Sequence, residues 1–200
     1  MTEGRSERRT QLGIPPDSTV VLMVAAFRPE KRHGIALDVC ERVLKVRKEV
    51  VFVFLGGGEL RTRFHENVEE LGLHGCVIVP GYVDNVDSYY SIADVSILTS
   101  DKEPFGYVML EAMRAALPVV AFDTGGPAEV IRDGVTGVLV KDGDVEEFTR
   151  KLLELIDNRE RRVIIGEKAR QAVVQEYSRE AWIKRLGVTL NDIVEGHRRP

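Results

Sequence analysis

Short apolar runs alternate along this chain with longer segments in which apolar residues are spaced among charges. The first run, residues 19–26, is continuous and rich in β-branched residues, which is typical of a strand buried on both faces. Residues 34–50 then place apolar side chains at roughly helical spacing, and residues 50–55 return to a buried-strand pattern. These segments predict a βαβ unit.

The alternation continues to the end of the chain. It predicts further strands at 76–79, 94–98, 118–122 and 137–140, and helices near 59–71, 86–92, 106–116, 128–131, 145–156, 159–176 and 178–194. This pattern predicts an α/β fold, a Rossmann-like doubly wound parallel sheet with helices on both faces. Such sheets bind ligands at the carboxyl ends of their strands, so we expect the loops after the strands to carry the chemistry.

Composition narrows the class of protein. The 200 residues are 44% hydrophobic and 30% charged, as in one ordinary globular domain, and the net charge of −4 gives no basic field for nucleic acid. Cys40 and Cys76 lie in separate apolar runs without metal-site spacing, so both are expected to be buried thiols. The polar N-terminus and the absence of about 18 consecutive apolar residues predict a cytoplasmic protein.

The loop after the first strand carries three cations. Arg28, Lys31 and Arg32 follow the strand directly and precede a helix, whose free amide groups would add to their positive field. We interpret this loop as a phosphate site, with a solvated basic turn as the alternative. His33, taken alone, would be a surface histidine.

Two further loops contain paired or triple glycines. Gly57 lies in a Gly-Gly-Gly run after the second strand, where absent side chains would let the backbone approach a ligand. The run does not fit the G-x-G-x-x-G fingerprint, which disfavours a nicotinamide dehydrogenase. Residues 123–129 join a later strand to a helix through the pair Gly125-Gly126, which we expect on the same edge of the sheet.

The most informative loop runs from Glu103 to Glu111. Pro104 and Gly106 shape the entry to a helix whose first amides could bind a diphosphate. Glu111, about two turns into that helix, could accept hydrogen bonds from ribose hydroxyls, and Glu103 could reach the sugar beyond the phosphates. This spacing predicts a nucleotide-sugar site; the alternative for Glu111 is a solvent-facing helix residue.

The sequence E-P-F-G-Y-V-M-L-E-A-M, followed by G-G-P-A-E-V-I, resembles the C-terminal donor domain of retaining glycosyltransferase family four, which is one half of a GT-B fold. F-R-P-E-K-R resembles the phosphate loop of that family and G-Y-V-D-N-V-D resembles its nucleobase segment. The resemblance implies catalytic roles for Glu103, Arg28 and Lys31. It implies donor binding by Phe105, Gly106, Tyr107, Val108, Glu111, Gly57, Gly81, Tyr82 and Val83. One departure is Ala25-Ala26, where many members carry Gly-Arg.

The resemblance also implies what would be transferred, and by what arrangement. The donor would be a UDP-sugar or, as second choice, GDP-mannose, which would make the protein a mannosyltransferase; no cofactor and no metal are expected. Glu103 would orient the sugar, although a nucleophilic role stays open. The isolated domain would bind the donor without turning it over, because the acceptor would bind an N-terminal domain, through which any peripheral membrane association would also come.

The predicted domain boundaries follow from these assignments. Residues 1–18 would be a lead-in, 19–176 the nucleotide-sugar-binding domain, and 177–200 a helix, including Trp182, that crosses back to the N-terminal domain. Two alternatives stay open. One is a nucleotide-sugar-binding subunit that completes its site with a separate chain, and the other is a GT-B relative with different chemistry, an epimerase or a phosphorylase.

Overall fold

The computed structural model describes residues 4–101, 103–181, 183 and 186–187. Its centre is a six-stranded parallel sheet in the order β3-β2-β1-β4-β5-β6. The strands are β1 (Thr19–Val24), β2 (Val50–Leu55), β3 (Val77–Gly81), β4 (Val95–Leu98), β5 (Val119–Phe122) and β6 (Val138–Val140). This order confirms the predicted doubly wound sheet, and it places the topological switch point between β1 and β4.

Helices cover both faces of the sheet, as predicted. They are α1 (Arg5–Gln11), α2 (His33–Val46), α3 (Arg61–Glu70), α4 (Asp87–Tyr90), α5 (Tyr107–Arg114), α6 (Gly125–Val130), α7 (Val145–Asp157) and α8 (Arg159–Glu176). Alternate residues of β1 point to opposite sides: Val21 packs with α2, α3 and α7, whereas Val20 packs with α4, α5 and α6. The helix α8 contributes Ile165 to the first layer and Ala169 to the second.

Two elements extend beyond their predicted bounds at the edge of the sheet that matters for ligand binding. The strand β3 continues through Pro80 to Gly81, which pairs with Leu55 after a shift of register. Proline is tolerated there because β3 is an edge strand. The helix α6 begins at Gly125, three residues before the predicted start.

The predicted lead-in contains a folded helix, α1, to which the sequence analysis assigned no element. Arg9 is only 7% exposed, and its guanidinium donates to Asp94 Oδ2 at 2.8 Å and to the carbonyl oxygens of Ile92 and Ser18. Arg5 donates to Asp94 Oδ1 at 2.8 Å. Charge pairing therefore holds α1 at the amino-terminal edge of the sheet. A helix held in this way needs no apolar face, which explains why the sequence of α1 shows no apolar residues at helical spacing.

The predicted final helix falls largely outside the described residues, and Trp182 is among those not described. Within the described part of the chain, no helix is long and apolar enough to cross a lipid bilayer. Cys40 is buried, as predicted, and its burial raises the pKa of the thiol. Cys76 was expected to be buried and is only half-buried, because it lies just before the edge strand β3.

Candidate functional site

The loops after β1 and β2 lie directly against each other. Phe27 donates its amide to the Gly57 carbonyl oxygen at 2.8 Å. A Cβ atom on Gly56 would stand 2.0 Å from the Ala25 carbonyl oxygen, and one on Gly58 would stand 2.5 Å from the Phe27 carbonyl oxygen. Both glycines have positive φ, 151° and 145°. Gly56 and Gly58 are therefore required because two backbones cross there with no room for side chains, whereas a Cβ atom on Gly57 would make only an ordinary contact, 3.9 Å from Tyr82 Cβ.

An apolar cavity of about 240 Å³ opens beside these crossed loops. It contains four of the predicted donor-binding residues, Gly57, Tyr82, Val83 and Val108, and its lining is completed by Val24, Ala25, Ala26, Leu55, Gly56 and Val86. Tyr82 is 80% exposed at the rim, where its ring is free to stack on a flat ligand. Gly81 is buried at the end of β3, and its carbonyl oxygen accepts the Gly56 amide at 3.0 Å.

A lysine and a glutamate from two different loops form an ion pair at the same edge of the sheet. Lys31 ends a short 3-10 turn after β1, and its Nζ lies 2.5 Å from Glu103 Oε2. Glu103 is 7% exposed, and the same oxygen receives a hydrogen bond of 3.3 Å from Ser100 Oγ. The Thr99 hydroxyl donates to the Lys31 carbonyl oxygen at 2.9 Å and so fixes the loop that carries the lysine. The structure thus brings together two of the three predicted catalytic residues.

The glycine pair of α6 holds the loop that carries Glu103. The Gly126 amide donates to the Glu103 carbonyl oxygen at 2.7 Å. A Cβ atom on Gly125 would stand 2.5 Å from that same oxygen, and one on Gly126 would stand 2.5 Å from the Phe105 carbonyl oxygen. Any larger residue would push the loop away. The early start of α6 follows from this contact, because only glycine allows the helix to begin against another backbone.

The loop continues into α5 through Gly106, which has φ 79° and caps the helix. The amides of Tyr107 and Val108 lie in the first turn, where amide groups have no partner within the helix and can bind an anion. The Phe105 ring is half-buried and lies 5.3 Å from the ring of Tyr107, which is exposed. A Cβ atom on Gly106 would stand 3.2 Å from Glu103 Cγ, so the predicted phosphate-binding amides begin next to the ion pair formed by Glu103.

Glu111 is exposed on α5, and one of its carboxylate oxygens accepts a hydrogen bond from a buried tyrosine. The hydroxyl oxygen of the buried Tyr90 lies 3.0 Å from Glu111 Oε2 and 3.1 Å from the Val108 carbonyl oxygen. Sequence reasoning missed Tyr90. It lies 21 positions before Glu111, in a short helix whose apolar pattern gives no indication of a polar contact.

Arg28, the third predicted catalytic residue, is not brought to the ion pair. Its side chain is exposed and lines a different cavity, of about 180 Å³, together with Arg32 and His33. His33 is buried rather than on the surface, because its ring stacks on Phe27 with centroids 4.0 Å apart. Burial and the nearby Lys31 lower the pKa of His33 to about 4, so the imidazole is neutral at pH 7.

Other features compete less well as a ligand site. A cavity of about 280 Å³ lies beside α1, lined in part by Arg5 and Arg9, whose guanidinium groups are already engaged by Asp94. Across the described residues, no group of three or more histidine, cysteine, aspartate or glutamate side chains is arranged to hold a metal ion. The edge at the switch point therefore combines the cavity, the cation, the carboxylates and the free amides.

Comparison with known proteins agrees with this placement. The family model of the group 1 glycosyl transferases matches residues 4–172. The lipopolysaccharide core biosynthesis glycosyltransferase LpsE of Rhizobium meliloti is 31% identical over 86% of this chain and 50% of its own length. The N-acetyl-alpha-D-glucosaminyl L-malate synthase of Bacillus anthracis is 28% identical over 94% of this chain and 49% of its own length. The chain spans about half the length of these relatives.

Solved structures show the same fold. Anabaena Alr3699/HepE, crystallised with UDP, superposes with a TM-score of 0.85 at 25% identity, over 94% of this chain and 52% of that one. TarM of S. aureus, in a complex that includes UDP, superposes with a TM-score of 0.81 at 28% identity, over 86% of this chain and 36% of that one. The sheet, its order and the family match agree, and the chain belongs to the group 1 glycosyl transferases, with the fold of one half of a GT-B enzyme.

Proposed function

We propose that this chain is the donor-binding domain of a retaining glycosyltransferase of family four, which transfers a hexosyl group from a nucleotide sugar to an acceptor. One observation carries the proposal. The apolar cavity, Glu111, the first-turn amides of α5 and the Lys31–Glu103 pair lie along a single edge of the sheet. That set offers a surface for a base, an acceptor for ribose hydroxyls, donors for a diphosphate and a carboxylate for a sugar.

The nucleotide would enter with its base in the apolar cavity. Gly57 and Ala25 line this cavity, and Tyr82 at its rim would stack on the base. Gly81 and Val83 would contribute backbone around the base. The related HepE and TarM structures contain UDP, which supports UDP-sugar as the donor. GDP-mannose is the second candidate.

The diphosphate would lie across the first turn of α5. The amides of Tyr107 and Val108 would donate to its oxygens, and the helix dipole would add a fixed positive potential. Lys31, already beside this turn through Glu103, would neutralise the charge that develops as the nucleotide diphosphate leaves. These groups would stabilise the leaving group without a divalent metal.

Glu103 would orient the sugar. Its carboxylate shares one oxygen between Lys31 and Ser100, which leaves the other oxygen to accept a sugar hydroxyl. Arg28 lines the other cavity, so a catalytic role for it would require the side chain to move toward the diphosphate. Retention of the anomeric configuration would follow from attack on the same face that the leaving diphosphate occupies.

The isolated chain should bind a donor without transferring its sugar. The matched relatives are about twice as long, which supports a separate acceptor domain in the full-length enzyme. Residues 177–200 would then cross back to that domain, and 19–176 would form the donor domain. We place the enzyme in the cytoplasm.

Calorimetry tests the proposal. The 200-residue chain would be titrated with UDP, GDP and ADP and their sugar conjugates, with and without EDTA. We expect one nucleotide to bind selectively and without sensitivity to EDTA, and Glu111→Ala and Lys31→Ala to weaken that binding at least tenfold. Lys48→Ala, an exposed lysine just before the amino-terminal end of β2, is the matched control and should bind normally. Failure of every nucleotide to bind at high micromolar concentration would refute the proposal for this chain.

A further inference from the structure

Tyr90 makes a directed hydrogen bond to a carboxylate on the candidate site. It is the last residue of α4 and is 3% exposed, and its hydroxyl oxygen lies within 3.1 Å of two acceptors on α5, Glu111 Oε2 and the Val108 carbonyl oxygen. A phenol has one proton to donate, and a carboxylate is a stronger acceptor than a peptide carbonyl. Burial and the neighbouring Glu111 raise the pKa of Tyr90, so the phenol keeps this proton throughout the pH range of ordinary assays.

The bond uses only one of the two carboxylate oxygens of Glu111. Oε2 accepts from Tyr90, whereas Oε1 accepts no hydrogen bond from the residues that the structure describes. Val108 lies three residues earlier, on the same face of α5, and lines the apolar cavity. The carboxylate therefore stands one helical turn from the cavity wall, with one oxygen held and one available.

We infer that Tyr90 is a positioning residue that holds the Glu111 carboxylate ready for the ribose hydroxyls of a nucleotide in the apolar cavity, and thereby sets the preference for ribose over deoxyribose. The inference rests on the function proposed above. An exposed glutamate without such a bond samples several rotamers, and ligand binding must then order it. A carboxylate that is fixed before binding avoids that cost, so its contact with a ribose hydroxyl contributes more to affinity.

Apolar packing holds the scaffold of this bond in place. Tyr89 of α4 belongs to the same buried cluster as Met109 and Met113 of α5, and this packing does not involve the Tyr90 hydroxyl. An exposed ion pair between Asp87 and Arg114, at 3.0 Å, adds little to it. Tyr90 acts from a fixed position, so loss of its hydroxyl should alter the carboxylate and leave the helices in place.

The test compares UDP with 2′-deoxy-UDP by calorimetry on the 200-residue chain. Tyr90→Phe should weaken UDP binding by up to about tenfold, because the free glutamate side chain would then have to be ordered when the nucleotide binds. The substitution should weaken the binding of 2′-deoxy-UDP much less, so the dissociation constant for 2′-deoxy-UDP divided by that for UDP should fall. Tyr89→Phe is the matched control: Tyr89 is also buried on α4, and its ring lies against Arg8 rather than Glu111. It should keep the wild-type ratio.

A double-mutant cycle separates positioning from a general structural role. In a Glu111→Ala background, Tyr90→Phe should change UDP affinity by less than about twofold, because the group through which it acts is gone. An unchanged ratio in Tyr90→Phe, or an equal loss of affinity in both backgrounds, would overturn the inference while leaving the proposed function intact. If the wild-type chain binds none of UDP, GDP and ADP, the inference falls together with the proposed function.

Discussion

Replacing Lys31 with methionine should destabilise the ligand-free chain, because it leaves the carboxylate of Glu103 buried without its cation. The side chains of Glu103 and Lys31 are 9% and 19% exposed, and Ser100 Oγ at 3.3 Å would be the remaining side-chain donor to the carboxylate among the described residues. Breaking a fully buried pair from one side costs about 3–5 kcal/mol. With the partial exposure of Lys31 and the remaining donor, we expect about 2–3 kcal/mol, or roughly 4–12 °C in melting temperature.

Urea denaturation at pH 7 would measure this change. Lys31→Met, Glu103→Gln and the double variant form a cycle, in which the double variant should lose less stability than the two single variants summed, since it contains no unpaired carboxylate. Lys48→Met, an exposed lysine outside the site, should change the free energy of unfolding by less than about 0.5 kcal/mol. Equal urea midpoints for wild type and Lys31→Met, or simple additivity in the cycle, would refute the reasoning.

Two further predictions concern groups around the same loops. Gly126→Ala would place a Cβ atom 2.5 Å from the Phe105 carbonyl oxygen and so displace the loop that carries Glu103. Nucleotide affinity should therefore fall at least tenfold, while the circular dichroism spectrum stays that of the wild type. An unchanged affinity would contradict this prediction. His33 has a pKa of about 4 when folded and 6.5 as its ordinary value, so between these values the unfolded chain binds more protons. The free energy of unfolding should therefore fall as pH drops through that window, by up to about 3 kcal/mol from this residue. His33→Leu should show a shallower dependence in urea titrations at pH 4.5 and 7, and an equally steep one would refute the assignment.

The sheet could be predicted from sequence because each strand is a continuous apolar run that both faces bury. β2 is the clearest case: all six of its residues are buried. The alternation of these runs with amphipathic helices leaves few topologies, and the right-handed crossover rule removes most of those. The sequence assigns the glycine run after β2 to ligand approach, whereas the structure gives another reason for Gly56 and Gly58, the crossing of two backbones, which only the folded chain reveals.

The remaining features depend on contacts between residues that are distant in sequence. The helix α1 is held by Arg9 and Asp94, 85 positions apart, so its sequence shows little apolar periodicity. Tyr90 resembles any buried aromatic residue until its hydroxyl is seen beside Glu111. The sequence predicts Arg28 and Lys31 in one site because both follow β1. In the structure the 3-10 turn at 29–31 directs them apart, so that Lys31 pairs with Glu103 whereas Arg28 lines a different cavity.

The crossing of the loops after β1 and β2 limits how this pocket can be altered. Gly56 lines the cavity, and any side chain there would meet the Ala25 carbonyl oxygen, so this position can change only if the two loops move apart. Changes of ligand preference, whether by selection or by protein engineering, are therefore easier at lining positions that already carry an exposed side chain, such as Tyr82. In a library built on this scaffold, diversity belongs at those positions, and Gly56 is best left as it is.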